Sequence, residues 1–138
     1  MRGVLVLLLA SCNISSSGTG STGKGCTVDD SCGGGEVCAR TGDCYPPSQI
    51  RSIQVTWTLD GLPATAETCG GSQDLEIDFH GRDGDSLGFA PVPWVAGKFS
   101  IDKFPVSFTS VRLGSNRGHF ASGELDAVTG EAALDLSF

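Results

Sequence analysis

Cys26, Cys32, Cys38 and Cys44 stand with five residues in each gap of "CTVDDSCGGGEVCARTGDCY", and no other feature so narrows what part of this chain can fold into. The segment offers only Val28, Val37, Ala39 and Tyr45 as further apolar side chains. So little apolar surface cannot offset the entropy of ordering the backbone, so covalent staples must hold the shape. Two disulfides are predicted within residues 26–45, in any of three pairings between which the sequence does not choose. Structural zinc cysteines come in pairs about two to four residues apart, so the wider gaps here argue against a metal. Six cysteines in 138 residues also point to an oxidising compartment.

The other two cysteines, Cys12 and Cys69, stand apart from this module. Arg2 and the apolar run Val4 to Ala10 precede Leu9-Ala10-Ser11-Cys12, which resembles the lipobox of bacterial lipoproteins. The resemblance implies that residues 1–11 form a signal peptide and that the Cys12 thiol carries a diacylglycerol. Cleavage before Cys12 would then make it the amino terminus. Two or three acyl chains anchor a protein firmly, whereas one chain alone binds marginally. Asn13 stands where an aspartate favours inner-membrane retention in well-studied Gram-negative sorting, so the outer membrane is favoured. "NISSSGTGSTGKG" then contains ten Ser, Thr or Gly in thirteen residues. Residues 12–25 therefore read as an anchor and a random-coil tether with a span of about 20 Å. Acylation of Cys12 leaves five cysteines. Cys69 is then the odd one, read as a small buried hydrophobe. An even count of six would instead allow three disulfides, but a tether is a poor site for a native bridge.

Nine basic against sixteen acidic residues give a net charge of −7. Such a surface repels the phosphate backbone, which excludes nucleic acid as a natural partner, and it does not dock on anionic lipid by charge. Membrane attachment, if any, is through the N-terminal lipid.

The module is similar to the short cysteine-rich repeats of Dickkopf N-terminal type found in exported proteins of myxobacteria and their relatives. Asp30, Gly35, Glu36, Val37 and Gly42 carry the likeness. The resemblance implies export and disulfides, and no activity. Arg40, between Cys38 and Cys44, is placed where a protease inhibitor presents its specificity residue. Asp29, Asp30, Glu36 and Asp43 are a conceivable calcium set. Solvated turns explain both with less.

After "YPPSQ" the pattern changes to period two. Ile53, Val55, Trp57 and Leu59 alternate with polar residues, as do Leu75, Ile77 and Phe79, so each run reads as a half-buried strand. Asp60-Gly61 and Asp83-Gly84 supply turns. Phe99 and Ile101 mark another strand. Val106 and Phe108 followed by Val111 and Leu113 shift parity, which predicts a bulge near Thr109 or Ser110. Leu134, Leu136 and Phe138 share one face of a last strand, after "DAVTG". Residues 50–138 are thus expected to form an all-β domain, an antiparallel β-sandwich, which resembles Ig-like domains through Trp57 on an early strand.

No nucleophile motif, phosphate loop or metal-binding histidine pair occurs in the sequence. In "DLEIDFH", Asp74, Glu76, Asp78 and His80 project from one strand face at about 7 Å intervals. With Asp83 and Asp85 they form a candidate cation face, and His80 with Asp78 a candidate acid–base pair for a cation-dependent envelope enzyme. The plainer reading is a solvated outer face. The sequence therefore supports a membrane-tethered envelope lipoprotein with a structural or binding role. It implies no cofactor, and its partner would be an envelope protein or a glycan. A secreted inhibitor and an envelope enzyme are the alternatives.

Overall fold

The computed structural model describes residues 25–68, 74–115 and 117–137. Leu9 to Cys12, the tether up to Lys24, Cys69 and Phe138 lie outside them. Among the described residues no helix is long and apolar enough to cross a membrane.

The cysteine module consists of a 3₁₀ turn at Asp29–Ser31 and a two-stranded antiparallel ribbon, β1 (Val37–Cys38) and β2 (Cys44–Tyr45). Cys26 is bonded to Cys38 and Cys32 to Cys44, with Cα atoms 5.7 Å apart in both bridges. Cys38 and Cys44 face each other across the ribbon. Each reaches back to the N-terminal limb, so the two bridges tie that limb to both strands.

A second 3₁₀ turn, Pro47–Gln49, leads into the sandwich. Its strands are β3 (Ile50–Leu59), β4 (Leu62–Pro63), β5 (Leu75–Gly81), β6 (Ser86–Val92), β7 (Lys98–Pro105), β8 (Phe108–Ser115), β9 (Phe120–Glu124) and β10 (Glu131–Leu136). One sheet is built on β3, with β10 along one edge and β7 and β4 along the other. The second runs β6-β5-β8-β9. Neighbours pair antiparallel except β10, which lies parallel to β3 from Glu131↔Gln54 to Leu136↔Leu59. The chain leaves β9 in one sheet and crosses through Asp126–Gly130 to the other, so β10 arrives running with β3.

Period two does what it predicts. Ile53, Val55, Trp57 and Leu59 are buried against Leu75, Ile77 and Phe79 of the other sheet, with Val111, Leu113, Leu134 and Leu136. Phe79 is fully buried, its ring 4.8 Å from that of Phe104 and 6.0 Å from that of Phe99. The Trp57 indole N–H donates to the Trp94 carbonyl at 2.8 Å, which pairs the one polar atom of a buried ring. Asp60 and Gly61, with φ of 49° and 77°, make the tight turn between β3 and β4. The expected bulge falls at Thr109, since His80 pairs with Ser110 and Gly81 with Phe108. Val106, however, does not share a strand with Phe108. Pro105 ends β7, and Val106 stands in the following turn, 41% exposed.

The module sits beside the Pro105 end of β7. The Arg40 N–H donates to the Lys103 carbonyl at 3.0 Å, Lys103 Nζ pairs with Asp29, and Arg40 pairs with Asp102. Phe104 of β7 lies against Phe79 and Phe108, so these residues of the second sheet mark the same end. Ser115, which ends β8, and Phe120, which begins β9, are at the other.

Candidate functional site

The outward residues of β6, β5, β8 and β9 stand in three rows set by strand register. Gly88, Asp78, Arg112 and Ser122 form the middle row. Ser86, His80, Ser110 and Glu124 lie on the module side of it, and Glu76, Gly114 and Phe120 on the far side. Two glycines shape this face. A Cβ on Gly88 would stand 2.5 Å from Asp78 Oδ1, so the missing side chain is the notch in which the carboxylate lies. A Cβ on Gly114 would overlap the Phe120 ring, so the ring can lie across β8 only because that residue is glycine. The Arg112 guanidinium carbon sits 3.7 Å above the ring centroid, a cation–π stack. Arg112 faces Asp78 across the strands yet forms no ion pair among the described residues, because its side chain is laid over Phe120. Beside the stack is a depression of about 450 Å³ with Ser110 and Ser122 on its floor and His80, Arg112 and Glu124 around it.

Asp74, Glu76, Asp78 and His80 do not converge on a cation. Alternate carboxylates along a strand are about 7 Å apart, whereas calcium takes oxygens at about 2.3–2.6 Å. Among the described residues, the one set of three ligand atoms within 4.8 Å of one another is the sulfurs of Cys26, Cys32 and Cys44, which the disulfides occupy. Asp83 and Asp85 are exposed in and after the β5–β6 turn and complete no such set. In the module, Asp29 is already engaged. Lys103 Nζ and the Cys38 N–H donate to it, and together they hold its carboxyl below the ordinary aspartate range.

His80 does share the depression with Glu124 and two serines. Acid–base activation of a nucleophile, however, needs the base between nucleophile and orienting acid. Here Ser110 lies between His80 and Glu124, and no hydrogen bond joins the three. His119 is at the opposite end, its Nδ1 3.1 Å from the Ser137 carbonyl. Arg40 is tied to Asp102 and Lys103, and Ala39 beside it is buried, so the 39–43 loop lies against the sandwich instead of standing clear between its bridges.

A second depression, of about 630 Å³, opens beside the module near Arg40, Gln54, Ser100, Asp102 and Glu131. Arg40 and Asp102 neutralise each other there. Of the residues on the second-sheet face, Asp78 and His80 were readable as outward from period two. The Arg112–Phe120 stack and its supporting glycines were not, because they join residues across strands.

No family model, curated protein or solved structure matches the chain.

Proposed function

We propose that the chain is a lipid-anchored protein of the bacterial cell envelope, with the outer membrane favoured, that works by binding and makes or breaks no bond. Leu9-Ala10-Ser11-Cys12, between an apolar run and a Ser/Gly-rich tether, supports the anchor. The observation that carries the binding role is the open outer face of the second sheet, where Arg112 is stacked on Phe120. The tether enters at the cysteine module, beside the Pro105 end of β7. The Arg112–Phe120 stack stands toward the other end, on an open sheet face. That face is solvent-exposed and carries a charged and aromatic pair already held in place.

The test is intact mass spectrometry with detergent partitioning of the full reading frame expressed in a Gram-negative host. The expected product begins at Cys12, is heavier by its acyl groups, and stays in the detergent phase. A soluble product without lipid mass, in which Cys12 forms a disulfide, overturns the anchor and the location together.

A further inference from the structure

The outer face of the second sheet has a chemistry that selects among ligands. Its middle is the Arg112 guanidinium, stacked on Phe120 and engaged in no ion pair among the described residues. Around it stand three carboxylates, Glu76, Asp78 and Glu124, and the hydroxyls of Ser110 and Ser122. A polyanion meets those three carboxylates and a chain of net charge −7, and is repelled. A polycation is drawn by the carboxylates and the net charge but is repelled by Arg112 at the centre, so it engages the rim and leaves the guanidinium unused. A neutral polyhydroxylated chain uses both signs, since each hydroxyl donates to a carboxylate and accepts from a guanidinium N–H or serine hydroxyl. Phe120, 46% exposed, adds an apolar ring edge at the rim, beside the guanidinium that covers its face, and sugar C–H groups pack against that edge.

The face is also held in shape without a ligand. Stacking on Phe120 fixes Arg112, the notch at Gly88 receives Asp78, and Gly114 lets the ring lie flat. Three side chains ordered in advance lose little freedom on binding, which weak sugar contacts require. From this geometry we infer that the face of β5, β8 and β9 is a binding site for a neutral oligosaccharide. Arg112, Asp78, Ser122 and Glu124 contact its hydroxyls and Phe120 its ring. The inference deepens the binding role proposed above and rests on it, but not on the lipid anchor.

Binding is measured by calorimetry on the full mature chain in detergent. The probes are neutral hexasaccharides of β-1,4-glucose, β-1,4-N-acetylglucosamine and α-1,4-glucose, with heparin and oligolysine as charged comparisons. At least one neutral sugar is expected to bind saturably. Arg112→Ala and Asp78→Asn each remove a charge-assisted hydrogen bond and should weaken it about ten- to a hundredfold. Ser122→Val should weaken it less. Gln54→Ala, on the outer face of the other sheet, should leave it unchanged, and tryptophan-detected melting of each variant verifies the fold. The site is overturned if none of the three sugars binds, if the Arg112 and Asp78 variants bind like the parent, or if only heparin or oligolysine binds. Detergent partitioning of the same samples separates the two readings. An acylated chain that ignores sugars sinks the site alone, and an unacylated chain that binds them sinks the anchor alone.

Discussion

Replacing Cys32 and Cys44 together by alanine should unfold the module and leave the sandwich standing. The bridge closes a loop of sequence separation 12. On the chain-entropy account such a loop contributes about 3 kcal/mol. The module has little in reserve to offset that loss. Its buried residues are Cys26, Cys38 and Ala39, and none belongs to the core cluster of the sandwich. What joins it to β7 is the Lys103–Asp29 and Arg40–Asp102 pairs, with side chains 38% to 57% exposed, and one backbone hydrogen bond. Exposed ion pairs contribute about 0 to 1 kcal/mol each and a hydrogen bond about 1 kcal/mol, so the sandwich loses about 1 to 3 kcal/mol when the module lets go. For a domain of this size that is a fall in Tm of roughly 4 to 24 °C. The chain carries its own reporters. Trp57 and Trp94, the two tryptophans, lie in the sandwich, and Tyr45, the single tyrosine, ends the module ribbon. The double variant should therefore keep a cooperative tryptophan-fluorescence melt, while trypsin cuts rapidly after Arg40 and spares residues 50–138. Loss of that melt, or a fall beyond about 25 °C, would refute the reasoning by making the module part of one cooperative unit with the sandwich.

Three further outcomes follow from the same geometry. Gly130 has φ of +73° and its Cβ position lies 2.5 Å from the Ser52 carbonyl oxygen. Gly130→Ala should cost about 2 kcal/mol or more, read as a lower urea midpoint at unchanged slope. Trp57→Phe removes the 2.8 Å donor from the Trp94 carbonyl, which keeps the Gly97 N–H at 3.3 Å, and should cost about 0.5 to 1.5 kcal/mol through that hydrogen bond in the same titration. Side-chain donation from Lys103 lowers the Asp29 carboxyl, the Thr129 and Val128 N–H groups lower that of Asp126, and Thr58 with the Gly61 N–H lowers that of Asp135. A carboxyl whose pKa is lower folded than unfolded stabilises the fold above the unfolded value and stops doing so as pH falls through the folded one. Stability should therefore be flat from neutral pH down to about 5 and decline below about 4. A melt that weakens as pH rises from 4 to 6 would contradict those hydrogen bonds.

Local order was readable in the residues because it depends on short stretches. Alternation at Ile53 to Leu59 and Leu75 to Phe79 states which face is buried, whatever lies opposite. The parity break before Val111 requires an extra residue, and the structure puts it at Thr109. Asp60-Gly61 turns the chain because both residues accept positive φ. The same parity sent Val106 into a strand it does not join. Alternation carries no information on where Pro105 and the following turn stop the ladder.

The sequence by itself determined an all-β chain, a stapled module of four cysteines and the inward or outward parity of most strand residues. Tertiary structure alone decided that Cys26 pairs with Cys38 and Cys32 with Cys44, that β10 runs parallel to β3, and that Arg112 lies over Phe120 with Gly114 beneath it. The physical reason is that a period of two fixes a side chain's face but not its neighbour. Neighbours are set by register between strands distant in sequence, and register is a property of the assembled sheets.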